Sequence, residues 1–154
     1  MPGPPRLVRW TEPPPMDTGS PRPALYLADG GALHCAYYVR QNDQLSEAAA
    51  VLRFELPLFF RFGWPNEEVL AAHELYPHGL GFYGFYIVEN SPLIREIEAR
   101  NSIHPRHKSS HFDALQHYVI TFHDDTLEVI AERATVVAEG ELTADNAVIQ
   151  HYQR

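Results

Sequence analysis

A strict two-residue alternation is the sequence feature that most constrains the fold of this chain. Every second residue in it is apolar: Leu52, Phe54, Leu56, Leu58, Phe60 and Phe62. Because successive side chains of a strand point to opposite faces of a sheet, the pattern predicts one long strand with a single buried face. Pro57 cannot donate a hydrogen bond to a neighbouring strand, so we expect an edge position or a bulge there.

Other segments predict further strands and two helices. Asp29, Gly30 and Gly31 separate two apolar runs, and a three-residue hairpin loop would set Leu27 opposite Leu33 on one apolar face. Helices are predicted at 65–75 and at 93–100, the second capped by Ser91 and Pro92. Strands are predicted at 81–89, 117–123 and 126–139, with Gly81 and Gly84 allowing close approach of another backbone or ring. The order β-β-β-α-β-α-β-β indicates the α+β class, with an antiparallel sheet of about six strands and two helices packed on one face.

Residues 1–23 hold eight of the thirteen prolines. Proline fixes φ and removes a backbone donor, so we expect an extended arm that joins no strand ladder, followed by a single domain at 24–154. Leu7, Val8 and Trp10 form the only apolar cluster of the arm. A loose tail is the favoured interpretation. The alternatives are docking onto the domain, or onto a second subunit as a homodimer.

Composition excludes several classes of function. The net charge is −8, with 20 acidic against 12 basic residues, and Lys108 is the only lysine, so neither nucleic acid nor an anionic membrane is an expected partner. No apolar run matches a signal peptide or a membrane span, and Cys35 is unpaired and predicted to be buried and inert. We therefore expect a soluble, cytoplasmic protein. Its excess of arginine over lysine indicates a GC-rich, bacterial genome.

Histidines are concentrated in residues 104–125, which hold five of the nine. His104, His107 and His111 lie in a segment that Pro105 and two serines mark as a loop. Zinc needs three or four ligands that converge at fixed distances, and a loop offers little rigidity to hold them. We expect a solvated loop here, with no metal.

His117 and His123 instead lie on a predicted strand that forms a hairpin with the next one. A turn at Asp124 and Asp125 would unite the apolar face by setting Phe122 opposite Leu127 and Ile120 opposite Val129. The other face would then pair Thr121 with Glu128 and His117 with Glu132, with His123 near Thr126.

This polar face supplies the candidate ligand-binding residues: His117, Thr121, His123, Glu128 and Glu132. A carboxylate orients a neighbouring imidazole and favours its cation, as a general base or a metal ligand requires. The same residues suit a solvated sheet face, or a functional face covered by a helix.

The aromatic residues between Phe59 and Tyr86 indicate part of the hydrophobic core. The alternative is an apolar pocket for a small ligand, with His73 or His78 as polar groups.

Nucleotide-binding loops, the GxSxG elbow and the HExxH motif are all absent from the sequence. Two hypotheses remain. The first is a binding or interaction module that holds a small molecule or a protein partner through a sheet face or aromatic pocket, with no cofactor. The second is a small hydrolase-like or metal-dependent enzyme that uses the histidines and glutamates of the 117–132 hairpin. The sequence assigns no catalytic residue, so the enzyme question stays open.

Overall fold

Residues 2–19, 22–40, 48–140 and 147 are described by the computed structural model of the chain. Nine strands lie within these ranges: β1 (Arg6–Arg9), β2 (Ala24–Leu27), β3 (Leu33–Tyr38), β4 (Ala49–Glu55), β5 (Phe59–Gly63), β6 (Phe85–Glu89), β7 (Gln116–Thr121), β8 (Thr126–Ala131) and β9 (Arg133–Gly140). The helical elements are two 3-10 helices, Glu67–Ala72 and Tyr76–His78, and two α-helices, α1 (Pro92–Asn101) and α2 (Ser110–Asp113).

The strands form two antiparallel sheets in the described part of the chain. One has the strand order β1-β6-β7-β8-β5, and the other has the order β2-β3-β4-β9. Antiparallel pairing and the α+β class agree with the sequence-based prediction. The predicted single sheet of about six strands is wrong, because the structure has nine strands in two sheets.

The alternating segment at 52–62 is divided between the two sheets. Strand β4 ends at Glu55, and β5 begins at Phe59. Pro57 lies between the two strands, after Leu56, which has a positive φ of 49°. Phe54 is fully buried, whereas Leu56 is 63% exposed and Phe60 is 39% exposed. The prediction of one long strand with one buried face is therefore wrong beyond Glu55. Alternation alone could not show that the chain leaves one sheet for the other at the proline.

The main hydrophobic core lies where β3 and β4 face β7 and β8. Its fully buried members include Cys35, Leu52, Phe54, Ile120, Leu127 and Val129. Cys35 is buried, as predicted, and burial raises the pKa of its thiol well above the ordinary value. The predicted β2–β3 register is also confirmed, since Leu27 lies opposite Leu33.

The N-terminal segment contributes to both the sheet and the core. Strand β1 pairs with β6, and Trp10 is buried with its ring centroid 4.9 Å from that of Tyr118 and 6.2 Å from that of Phe54. The predictions that the arm joins no ladder and forms a loose tail are wrong. Prolines flank β1 without interrupting it, and the extended backbone that they favour is the conformation of an edge strand.

Residues of the segment between β5 and β6 cover the outer face of the five-stranded sheet. Leu70, Leu75 and Leu80 pack against Tyr86 and Val119 of the sheet. The predicted helix at 65–75 is a 3-10 helix, which Asn66 caps by accepting from the backbone of Glu68 and Val69. This cover turns the outer face of β7 and β8 into a buried layer. None of the helices in the described ranges has the length and apolar character needed to cross a membrane.

Candidate functional site

The β7–β8 hairpin differs in register from the sequence-based prediction. Thr121 lies opposite Thr126, Val119 opposite Glu128, and His117 opposite Ile130. The pairing is two residues away from the predicted one, because the turn is centred one residue earlier. A shift of two residues keeps every side chain on its predicted face, so the apolar pattern is satisfied equally by both registers.

The new register separates the five candidate residues. His117, Thr121 and Glu128 are buried under the cover of the outer sheet face. His123 lies in the turn and its side chain is nearly half exposed. Glu132 follows the last residue of β8 and is exposed, so the predicted cross-strand pair of His117 and Glu132 is wrong.

The centre of the buried polar layer is the carboxylate of Glu128, which is 3% exposed. Its Oε1 lies 2.9 Å from His117 Nε2. Its Oε2 lies 3.1 Å from His73 Nε2 and 2.6 Å from Arg61 Nε. Burial alone would raise the pKa of Glu128, but hydrogen bonds from His117, His73 and Arg61 outweigh it and hold the pKa well below the usual range. Glu128 is therefore an ionised acceptor.

The proton position on His73 follows from its second hydrogen bond. The backbone N–H of Leu75 donates to His73 Nδ1 at 3.0 Å, so this nitrogen carries no proton. The proton of the neutral ring then lies on Nε2, which donates to Glu128. His73 was predicted only as a polar group of an aromatic pocket, and 55 residues separate it from Glu128.

His117 joins Glu128 to the start of α1. Because Nε2 donates to the carboxylate, a neutral His117 has an unprotonated Nδ1 that accepts a hydrogen bond. Ser91 Oγ lies 2.7 Å from this Nδ1 and also accepts the backbone N–H of Ile94 at 3.1 Å. Ser91 was predicted as the cap of the helix, which is confirmed, but its contact with His117 carries no local sequence signal.

Thr121 belongs to a different set of contacts. Its hydroxyl accepts from the backbone N–H of Gly84 at 2.9 Å and donates to the carbonyl of Gly81 at 2.7 Å. The phenol oxygen of Tyr86 accepts the N–H of Gly81, and a Cβ on Gly84 would lie 2.6 Å from the Tyr86 ring. The predicted close approach of a ring to these glycines is confirmed. Thr121 thus fixes the chain before β6 and lies opposite Thr126, so the predicted pairing of Thr121 with Glu128 is wrong.

His123 forms a separate surface cluster with Tyr83 and Glu67. Its ring stacks on Tyr83 with centroids 6.2 Å apart, its Nδ1 lies 2.8 Å from the Tyr83 hydroxyl, and Glu67 Oε1 lies 3.2 Å from the same nitrogen. These contacts hold the hairpin turn against the start of the 3-10 helix. They do not reach the Glu128 layer.

The three loop histidines, His104, His107 and His111, do not converge on one centre. His104 and His111 are exposed, and His107 contacts Asn101 through Nδ1 at 2.9 Å. No group of three or more histidine, cysteine, aspartate or glutamate side chains with metal-binding geometry occurs in the described ranges.

Two surface grooves meet the buried layer from different sides. The first has a volume of about 360 Å³ and is lined by Arg61, Trp64, Pro65, Ala72, His73, Glu74 and Glu128. The second has a volume of about 500 Å³, and its lining includes Ser91, Ile94, Phe112 and Leu115. We refer to them as the Trp64 groove and the Ser91 groove. His117 connects them, because it contacts Ser91 on one side and Glu128 on the other.

Comparison of the chain with protein-family models, with curated protein sequences and with solved structures finds no significant match.

Proposed function

We propose that this protein is a small binding module that holds a polar, ring-shaped small molecule in the Trp64 groove. The observation that carries the proposal is the side chain of Trp64, which is 72% exposed although it is a large aromatic group. An exposed aromatic ring beside a groove offers a flat apolar surface on which a ligand ring can stack. The groove volume of about 360 Å³ suits a small molecule.

Two charged groups at the groove define what the ligand must present. Arg61 donates through Nε to Glu128, and its Nη2 lies 3.3 Å from Glu74 Oε1. The guanidinium has five donors, so several remain for a ligand, and Glu74 supplies an acceptor. A ligand that both donates and accepts hydrogen bonds fits this pair.

Charge balance favours a neutral ligand over an anion. Arg61 is already paired with two carboxylates, those of Glu128 and Glu74. An anionic ligand would have to compete with both, whereas hydroxyl or amide groups can use the free donors without displacing either. We therefore assign the ligand to neutral ring compounds that carry hydroxyl or amide groups, such as sugars and nucleosides.

The fixed orientation of Arg61 favours binding in this groove. Arg61 is half-exposed, yet its Nε is fixed by a buried carboxylate that His73 and His117 also hold. A ligand therefore meets a guanidinium whose orientation is already set, which reduces the entropy lost on binding.

The metal-dependent alternative has less support. Both oxygens of Glu128 accept hydrogen bonds, and the cation beside them is Arg61. A metal ion would have to displace that cation and the proton on each imidazole Nε2. The hydrolase-like alternative has support of another kind, from the contact between Ser91 and His117.

We also propose that the protein acts in the cytoplasm on a small molecule, without nucleic acid. The net charge of −8 and the single lysine support the absence of a nucleic-acid partner. The unpaired, buried Cys35 is compatible with a reducing compartment. Homodimer formation through the N-terminal arm loses its support, since Trp10 is buried in the core of its own chain.

The test is a binding screen with the full chain. A panel of nucleosides and neutral sugars is added to the isotopically labelled protein, and the indole N–H signals of Trp64 and Trp10 are followed by nuclear magnetic resonance. We expect a ligand to shift the Trp64 signal and leave that of the buried Trp10 in place. Trp64→Ala and Glu74→Gln should weaken binding, while Leu27→Ala, a change at an exposed residue outside the groove lining, should not. Undiminished binding by Trp64→Ala would refute the proposal.

A further inference from the structure

The side chains of Ser91, His117 and Glu128 form a continuous polar chain from a groove into the protein interior. Ser91 Oγ lies 2.7 Å from His117 Nδ1, and His117 Nε2 lies 2.9 Å from Glu128 Oε1. All three side chains are buried. An imidazole that a carboxylate orients can take the proton of a neighbouring hydroxyl and so activate a serine as a nucleophile. Here Nδ1 faces the serine and Nε2 faces the carboxylate, which exchanges the two ring nitrogens relative to the usual serine triad.

We propose that Ser91 is the nucleophile of a second, hydrolytic site, which cleaves carboxylic esters in the Ser91 groove. His117 is its general base, and Glu128 is a positioning residue that fixes the ring of His117. The reaction takes place in a different groove from ligand binding beside Trp64, although Glu128 is shared by the two sites.

The hydrogen bonds fix the proton positions that this chemistry requires. Glu128 is ionised and accepts, so the neutral ring of His117 carries its proton on Nε2 and presents an unprotonated Nδ1 to Ser91. His73 and Arg61 donate to the other oxygen of Glu128, Oε2, and hold the carboxylate in this orientation. Nδ1 is therefore directed at the hydroxyl before any substrate arrives.

Ser91 also lies at the start of α1, a helix of ten residues. The first backbone N–H groups of a helix have no partner within the helix, and the helix dipole favours negative charge there. Pro92 has no N–H, the N–H of Ile94 donates to Ser91 Oγ, and that of Arg95 donates to the carbonyl of Ser91. The N–H of Leu93 is therefore the donor at this helix end to which we assign stabilisation of an oxyanion formed beside Ser91.

The reaction balances without any further group. Ser91 Oγ attacks the acyl carbon, and its proton passes to His117 Nδ1. The bond from that carbon to the leaving alkoxide breaks, and the proton passes from Nδ1 to the alkoxide, which leaves as an alcohol. Water then attacks the acyl-serine by the same route, releasing the carboxylic acid and restoring the Ser91 hydroxyl.

The lining of the Ser91 groove restricts the acyl group. Its apolar side chains include Ile94, Phe112 and Leu115, and its charged side chains include three carboxylates and one guanidinium: Glu89, Glu98, Asp113 and Arg95. An excess of negative charge disfavours an anionic acyl group. The substrate class is therefore an ester with a neutral or cationic acyl part.

Covalent labelling of the full native chain tests the nucleophile directly. The protein is incubated with an alkyl fluorophosphonate, and the adduct is counted by intact mass and located by peptide mapping. We expect one adduct per chain, on Ser91, and none on protein that has been unfolded beforehand. Ser102→Ala, which removes an exposed hydroxyl at the other end of α1, should label like the unaltered protein. Absence of an adduct, or an adduct on another residue, would overturn the proposal.

Ester hydrolysis provides the second readout. Nitrophenyl acetate should be hydrolysed faster than in buffer alone, and faster than a nitrophenyl ester whose acyl group carries a carboxylate. Ser91→Ala should reduce the rate to that of buffer, with circular dichroism reporting whether the variant is folded. If Ser91→Ala does not fold, the labelling of the unaltered chain still decides the question. Equal hydrolysis by folded Ser91→Ala would show that Ser91 is only a helix cap.

Discussion

His117 Nε2 lies 2.9 Å from Glu128 Oε1, although the two residues are not directly opposed in the β7–β8 hairpin. His117 faces Ile130 and Glu128 faces Val119, so the contact runs diagonally across the two strands. Diagonal neighbours on one sheet face are within reach of long side chains. This diagonal contact places one carboxylate within reach of the imidazole, of Arg61 on β5 and of His73 in the covering segment.

Replacing Glu128 by glutamine tests the importance of the buried charge. We expect Glu128→Gln to lower the free energy of unfolding by about 3–5 kcal/mol, because the amide N–H₂ would face a donor and Arg61 would lose its buried partner. Urea denaturation measures the change. Glu132→Gln is the matched control, since Glu132 is exposed, and it should stay within about 0.5 kcal/mol of the unaltered protein.

The low pKa of Glu128 predicts a dependence of stability on pH. A carboxyl group with a pKa lower in the folded than in the unfolded chain stabilises the fold fully above its unfolded pKa, about 4.3 for glutamate. As the pH falls below that value, the unfolded chain takes up the proton first, and the stabilisation is progressively lost. The difference in unfolding free energy between the unaltered protein and Glu128→Gln should therefore shrink between about pH 6 and pH 3. A constant difference would contradict the low pKa.

The two tryptophans should respond differently to truncation. Trp10→Ala removes a buried ring that contacts Phe54, Phe85 and Tyr118, and we expect a loss of about 3–5 kcal/mol. Trp64→Ala should change the unfolding free energy by less than about 0.5 kcal/mol, because its ring is largely exposed. Thermal and urea unfolding compare the two. Similar losses would mean that Trp64 also packs in the fold.

The division of the alternating segment can be tested with two phenylalanines. Phe54→Ala should cost about 3–5 kcal/mol, since its ring is fully buried in the main core. Phe60→Ala, six residues further along the same alternation, should cost clearly less, because Phe60 is partly exposed on the edge strand β5. Equal losses in urea denaturation would favour one continuous strand with a single buried face.

Close packing of Gly84 against Tyr86 predicts a cost for a single methyl group. Gly84→Ala would place Cβ 2.6 Å from the ring, and overpacking of this kind costs about 1–3 kcal/mol. Gly30→Ala is a suitable control, because a Cβ there meets nothing within 4 Å. A double-mutant cycle with Tyr86→Leu should show that most of the cost disappears when the ring is removed.

In the β7–β8 hairpin the sequence could predict which face of a strand a residue occupies, but not which residue lies opposite it. Alternation correctly assigned His117 and Glu128 to one face of the hairpin. It could not choose between registers two residues apart, because both unite Ile120 with the apolar face. In the structure the carboxylate that contacts His117 is therefore Glu128 and not the predicted Glu132.

The remaining members of the buried layer come from distant segments. Arg61 and His73 are separated from Glu128 by 67 and 55 residues, and Ser91 is 26 residues from His117. Local periodicity and capping rules identified Ser91 as a helix cap, and the structure confirms that role. They carry no information on contacts that arise only when separate elements pack together. The sequence did not predict the exposure of Trp64 either, because aromatic residues are usually part of a core.

The pairing of β1 with β6 also determines when the fold can be completed during synthesis. Arg6 and Glu89 are joined by a hydrogen bond across 83 positions of the chain. Trp10 follows β1 directly and packs against the ring of Tyr118, which is synthesised after β6. The indole of Trp10 therefore stays without this contact until Tyr118 has been made, because the long loop between them must close before the contact forms. Strand β1 gains its native neighbour only after β6 has been made, so an early-made strand pairs at a late step of folding.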